Sequence, residues 1–204
     1  MSEFDSVARE WDNQEKHVIR AREVAGKIIS VCPLNKKMNA LEYGAGTGLL
    51  SFLLKNHLGS ITLMDNSPEM VNVSKEKIKT TGTKNIKAVN FNLELNDYTD
   101  EKFDIIYNLM VMHHVGNIKE ILRKFYNLLN KEGIIAIADL YAEDGNFHQG
   151  EFNGHHGFDP EKLKNDMQHI GFKNIKHEQC YTIEREQDDG STKPYPVFLL
   201  TGRK

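Results

Sequence analysis

Leu41-Glu42-Tyr43-Gly44-Ala45-Gly46-Thr47-Gly48-Leu49 is the stretch that decides the fold. A short apolar run, Asn39 to Tyr43, ends in three alternating glycines, and a helical pattern from Leu49 to Asn56 opens directly after them. Glycine permits a tight turn and lets the backbone come close to a ligand with no Cβ in the way. The helix beyond has unpaired N–H groups and a positive dipole end. Together they predict a cradle for the polar part of a nucleotide-like ligand.

Working outward, strand and helix patterns alternate. Ser60 to Met64 predicts a strand, and Ser67 to Lys79 a helix with Ser67 as N-cap and Pro68 at its first position. Asn85 to Val89 and Phe103 to Asn108 predict strands, and Asn117 to Leu129 a helix with Ile118, Ile121, Leu122, Phe125, Leu128 and Leu129 on its inner face. Gly133 to Leu140 is near-continuously apolar, as in strands covered on both faces. Upstream, Glu15 to Ser30 is helical in period. Residues 141–158 break the rhythm, a helix resumes at Asp159-Pro160 and stops at Gly171, and two strands close the chain near Lys173–Glu184 and Tyr195–Thr201. This order predicts a mostly parallel sheet with helical crossovers and a final antiparallel pair.

Composition sets the bounds. The chain has 204 residues, 39% hydrophobic and 27% charged, which suits one domain with a full core. A formal charge of -3 supplies no overall basic field for nucleic acid. No apolar window is long enough for a membrane span, and MSEFDSVAREWDNQ does not read as a signal peptide, so a cytoplasmic location is expected. Cys32 and Cys180 lie far apart and predict neither a disulfide framework nor a metal knuckle. The lysines at 75, 77, 79, 84 and 87 read as solvated surface.

Two carboxylates narrow the ligand. Asp65 ends the second strand, 19 residues after Gly46, where it can accept both ribose hydroxyls of a ligand lying across the strand ends. Glu42 sits under the glycine turn, where it would meet a cation and repel a pyrophosphate. Leu49 fills the third-glycine slot of the dinucleotide pattern and would crowd the helix–sheet contact. No phosphate-binding loop of the G-x-x-x-x-G-K-[ST] kind occurs. These features favour a cationic adenosine compound.

With LEYGAGTG at 41–48, LMDNSPEMV at 63–71, FNLE at 91–94, FDIIYNLMVMHHV at 103–115 and NLLNKEGIIAIADL at 127–140, the chain resembles a class I S-adenosylmethionine-dependent methyltransferase of the small-molecule kind. The resemblance implies a Rossmann-like α/β fold: a doubly wound seven-stranded sheet, mostly parallel with the last strand antiparallel, and helices on both faces. It implies a single domain with an N-terminal helical segment and candidate lid at 1–30, a cofactor-binding core at 31–140, and an acceptor-side loop, helix and strand pair at 141–204. The cofactor implied is S-adenosyl-L-methionine. Glu42 would lie below its methionine moiety, Gly44, Ala45 and Gly46 would give backbone contact, and Asp65 would hold the ribose. Asn66 and Met70 would flank the adenine, Asn92 would accept from its amino group with Leu93 or Phe91 beside it, and Asn108 would contact the methionine end. Met110 and His113 would stand near the methyl group.

Displacement at a sulfonium carbon needs alignment and exclusion of water, and needs a base only when the acceptor must lose a proton early. Candidate bases cluster after the fourth and fifth strands: His113, His114, Asp139, Tyr141, His148, His155 and His156. We expect His113, His156 and Asp139 to carry the acceptor chemistry, with His113 pointing inward. His148, His155, His156 and Asp139 have ligand types but match no zinc spacing, so no metal is expected. Asp159 reads as a helix cap. Trp11 and Phe4, in a polar stretch, suggest a lid over bound cofactor. The expected partner is a small-molecule acceptor, with no membrane, nucleic acid disfavoured, and a monomer or homodimer. The alternatives are a nucleic-acid or protein methyltransferase, an NAD-type oxidoreductase, and a non-catalytic nucleotide-binding module.

Overall fold

A computed structural model describes residues 3–148, 152–187 and 190–204. The elements run α1 (Glu3–Val7), a 3-10 segment (Ala8–Asn13), α2 (Glu15–Val31), β1 (Asn39–Tyr43), α3 (Leu49–Leu54), β2 (Ser60–Asp65), α4 (Pro68–Thr81), β3 (Ile86–Asn90) and β4 (Phe103–Leu109). A 3-10 turn (Met112–His114), α5 (Ile118–Leu128), β5 (Leu129–Leu140), α6 (Pro160–Ile170), β6 (Lys173–Glu186) and β7 (Thr192–Arg203) complete the chain. The strands form one seven-stranded sheet in the order β3-β2-β1-β4-β5-β7-β6. All neighbours pair in parallel except β7, which is antiparallel to both β5 and β6. The strand order reverses between β1 and β4, and their carboxyl ends open a crevice there.

Strand periodicity explains the layering. Along β5, Ile134, Ala136, Ala138 and Leu140 face one side and pack with Val24, Ala25 and Ile28 of α2 and Leu50 and Leu54 of α3. Ile135 and Ile137 face the other side, against Ile121, Leu122, Phe125 and Leu128 of α5 and Leu163 and Met167 of α6. Both faces of the central strands are thus covered, which is why their sequences are continuously apolar.

The helix boundaries follow local chemistry. Ser67 accepts from the Met70 N–H at 3.2 Å with Pro68 behind it, and Gly82, in the left-handed region, ends α4. Asn117 caps α5 through the Glu120 N–H, and Asp159 caps α6 through the Glu161 N–H, as its sequence position predicts. Helix α3 stops at Leu54, short of the predicted Asn56, because the Asn85 amide takes the Lys55 and Leu58 carbonyls and turns the chain. Strands β6 and β7 run longer than predicted. Pro194 and Pro196 are tolerated because that part of β7 lies beyond the stretch paired with β5, so one of its edges needs no ladder donors. Both cysteines are free thiols; Cys32 is buried and Cys180 half-buried.

Phe125 is fully buried and meets Tyr43 edge-on at 5.1 Å between ring centres. Phe125→Ala leaves a cavity between α5 and the sheet and should cost about 3–5 kcal/mol. A urea titration reads this as a lowered midpoint at unchanged slope.

Candidate active site

A cavity of about 950 Å³ lies over the carboxyl ends of β1, β2 and β4. Its roof is the N-terminal segment, whose Phe4, Val7 and Trp11 line it. Polar latches tie the roof down. Asp5 accepts from the Ser67 hydroxyl at 2.5 Å, and Asp12 accepts from the Thr47 hydroxyl at 2.5 Å and pairs with Lys77 at 2.5 Å. Lys77 therefore departs from the solvated-surface reading of its lysine run. The Phe4 ring stands edge-on to His114 at 5.2 Å, and Trp11 lies over the buried His17 at 4.0 Å.

The glycine turn forms one wall. Gly44 has φ +63, and a Cβ on it would sit 2.5 Å from a Val111 methyl, so only glycine fits. Three N–H groups of the turn are taken within the protein. The Ala45 N–H donates to the Met64 carbonyl, the Gly46 N–H to Asp65 Oδ2 at 2.7 Å and the Gly48 N–H to the Ala45 carbonyl. Helix α3 is only six residues long. The turn thus gives a ligand close backbone approach, with the Ala45, Gly46 and Gly48 N–H groups already committed. Asp65 Oδ1 accepts from the Ser67 N–H at 2.8 Å, so this carboxylate clamps the turn to the start of α4 while still facing the cavity. Burial raises its pKa, opposed by the backbone N–H groups of Ser67 and Gly46.

Glu42 is the buried floor. Its Oε2 accepts from the Ser51 N–H at 3.2 Å, and no salt bridge to it is found among the described residues. Burial pushes its carboxyl up to about 8, with the Ser51 hydrogen bonds opposing. Ser51 is held by the Tyr107 hydroxyl at 2.6 Å. Gly44, Ala45, Gly46, Asn66, Met70, Leu93 and Met110 line the cavity as expected from sequence. Met110 adopts φ +57, left-handed backbone that a side chain enters at a cost, and its N–H is pinned to the Ala138 carbonyl at 2.8 Å. Asn92 also lines the cavity, but its side-chain carbonyl accepts from the Glu94 and Leu95 N–H groups. The amide NH2, rather than the expected carbonyl, is the end left for a ligand.

At the opposite end, His113 is buried and held by Asp139. Nδ1 stands 2.6 Å from Asp139 Oδ1, and the His113 N–H donates to Oδ2 at 3.3 Å. Asp139 is fully buried, so it works behind His113 and does not reach the cavity itself. His114 and His148 also line the cavity, and His148 stacks on Phe152 at 3.7 Å. Burial lowers both imidazoles to about 4, with neighbouring His113 acting in the same direction, so both are neutral at pH 7.

Asn108 and His156, both expected at the site, lie outside the cavity lining. Asn108 does not line the cavity: it is sealed within β4 beside Ile137 of β5, and neither end of its amide has a partner. The strand ends one residue beyond it, at Leu109, and Met110 in the turn that follows lines the cavity. His156 also lies outside the cavity, because its ring stands beside Gly145 with Nδ1 3.4 Å from Glu143. His155 is spent on the fold, its Nε2 3.0 Å from the Val115 carbonyl and its N–H donating to the His113 carbonyl at 2.7 Å. One residue escaped the sequence reading. Arg20 of α2 lines the cavity with its Nε buried and unpartnered, and burial lowers the guanidinium to about 10. The available signal was an arginine beside the buried stripe His17, Ala21, Val24, Ala25 and Ile28.

Comparison with known proteins converges on one family. A family model described as a methyltransferase domain matches residues 34–188. The chain is 30% identical over 155 residues to an uncharacterized methyltransferase of Schizosaccharomyces pombe, covering 68% of this chain and 55% of that protein. It is 31% identical over 157 residues to a ubiquinone biosynthesis O-methyltransferase of Pelagibacter ubique, covering 69% and 63% respectively. The matches therefore span less than two thirds of those relatives' own lengths. Among solved structures, phosphoethanolamine N-methyltransferase 2 of Haemonchus contortus, in complex with S-adenosyl-L-methionine, superposes with a TM-score of 0.70 at 10% identity, covering 100% of this chain and 60% of that one.

The raised carboxyl of Glu42 makes a pH prediction for the ligand-free protein. The folded form holds this proton up to about pH 8, whereas the unfolded chain releases it near the ordinary glutamate value of 4.5. Its contribution to stability is complete below the unfolded value and is lost as pH rises through that window. Stability of the wild type should thus decline from pH 5 to 8 relative to Glu42→Gln, which has no proton to lose. Parallel curves from denaturant titrations across that range would show Glu42 to be an ordinary carboxylate.

Proposed function

The chain belongs to the class I S-adenosylmethionine-dependent methyltransferases, and from that premise we propose that it methylates a small molecule held at the histidine end of the cavity. The observation that carries this is the pairing of a buried carboxyl without a cation, Glu42, with a glycine turn whose Gly46 N–H is already taken by Asp65. That combination suits a positively charged adenosine compound and disfavours a dinucleotide.

S-adenosyl-L-methionine supplies a methyl group already activated on a sulfonium. Glu42 meets the positive end of the ligand, and Gly44, Ala45 and Gly46 let the backbone come against it. Asp65 accepts from the ribose hydroxyls on lone pairs not used by the Gly46 and Ser67 N–H groups. Asn66, Met70 and Leu93 flank the adenine, and Asn92 offers its amide NH2 to a ring nitrogen. Arg20 takes a ligand carboxylate, which gives its orphaned Nε a partner. Met110 stands near the methyl carbon and His113 faces the acceptor atom. Asp139 is a positioning residue that fixes the tautomer and aim of His113. The latched roof excludes water and must open to exchange ligands.

The test is calorimetry with S-adenosylmethionine and its demethylated product, followed by a labelled-methyl screen of metabolite pools. Asp65→Ala should weaken cofactor binding by about 1.5–3 kcal/mol, the scale of a charged hydrogen bond lost; wild-type affinity would remove Asp65 from the ribose. Bringing a cation to Glu42 should also expel its proton at pH 7, so the binding heat should vary with the ionisation heat of the buffer, and not in Glu42→Gln. His113→Ala should lower turnover more than cofactor affinity. The reverse order would move it to the cofactor side.

A further inference from the structure

We propose that His113, His114 and His148 bind one divalent transition-metal ion of the zinc type, which holds the methyl acceptor. One ring nitrogen of each histidine lies within 4.8 Å of the other two. An ion bonded at about 2.1 Å to each would hold them roughly 3.4 Å apart, so ångström-scale ring movements complete the set. Three further features favour an ion over three separate histidines.

First, Asp139 occupies Nδ1 of His113 at 2.6 Å and therefore turns Nε2 outward. A carboxylate behind a histidine is the usual support for a metal ligand, since it fixes the tautomer and raises the basicity of the other nitrogen. Second, Nε2 of His148 is buried with no hydrogen-bond partner, while Phe152 stacks on the ring at 3.7 Å and holds its plane. Third, His114 makes no side-chain hydrogen bond among the described residues, although its ring is packed between Phe4 and Phe152 at 5.2 and 5.3 Å. A single general base needs only the His113–Asp139 pair. The other two rings then have no task, and the buried, unpaired Nε2 of His148 is costly.

The set differs from the histidines that the sequence singled out as having ligand types. His155 and His156 are turned away, and the two adjacent residues His113 and His114 are joined by His148 from the loop after β5. Three imidazoles facing a cavity leave the fourth place of a tetrahedral ion open. This deepens the proposed methyl transfer and rests on it, because it says what kind of acceptor the cavity takes: one with an O–H or S–H that ionises on the metal, rather than an amine. The acceptor's proton passes to water, and its freed electron pair forms the bond to the methyl carbon. The carbon–sulfur bond breaks with its pair going to sulfur, leaving a neutral thioether, and the ion is unchanged.

The test titrates Co2+ into chelator-stripped full-length protein and follows the visible absorption of four-coordinate cobalt. We expect saturation at one ion per chain and displacement by Zn2+. His148→Gln and His114→Gln should each weaken binding at least tenfold, and Asp139→Asn about 10- to 100-fold, with circular dichroism confirming that each variant is folded. No absorption at millimolar Co2+, or absorption that survives both histidine substitutions, overturns the metal site. S-adenosylmethionine is titrated separately into the metal-free protein. Binding there without a cobalt signal defeats the metal site alone, and a cobalt signal without nucleoside binding defeats the proposed methyl transfer instead.

Discussion

The Asp65 carboxylate holds the glycine-turn end of the cavity together. One oxygen takes the N–H of Gly46 and the other the N–H of Ser67, so a single side chain at the end of β2 joins the turn after β1 to the first turn of α4. Ser67 in turn caps α4 and donates its hydroxyl to Asp5 of the roof. Ser74 of α4 donates back to the Gly46 carbonyl at 2.8 Å. The glycine turn, the helix and the roof are thus positioned by one chain of charge-assisted and neutral hydrogen bonds in a partly dry setting, where each is stronger than in water.

The two ends of the cavity use opposite electrostatics. At the glycine-turn end, two carboxyl groups, Glu42 and Asp65, are held above their usual range by burial, and the turn between them commits its Ala45, Gly46 and Gly48 N–H groups within the protein. That end is short of positive charge until a cation arrives. At the other end, neutral imidazoles gather around His113, and only His113 is backed by an acid. A sulfonium between the two ends would have its charge met on one side and an uncharged, nucleophile-accepting surface on the other. Alignment of this kind, beneath a roof lined by Phe4, Val7 and Trp11, is most of what a displacement at carbon asks of a protein.

Residues that fell outside the expected site show where sequence reasoning stops. Asn108 and Met110 are two places apart on one strand end, yet one is sealed in the sheet and the other turns into the cavity through left-handed backbone. His155 and His156 are adjacent, yet the Gly157 turn aims one at the Val115 carbonyl and the other at Glu143. Asn92 lines the cavity as expected, but its own turn captures the carbonyl that the adenine was to use. Such differences depend on local rotations of a bond or two, and no spacing rule records them.

What the sequence by itself determined is the alternation of elements, the caps at Ser67 and Asp159, and the pairing of a glycine turn with carboxylates at 42 and 65. These are local or periodic: a cap acts within one turn, an apolar face repeats every two or three to four residues, and a strand-end position follows from counting. Tertiary structure alone decided that Arg20 and His148 reach the same cavity as Glu42 and His113. It also decided that Asp139 stands behind His113 and that Asp12 latches the roof onto Thr47 and Lys77. Those meetings join residues 22 to 128 positions apart, from a helix, strand ends and an irregular loop, and only packing both faces of the sheet sets the distances between them.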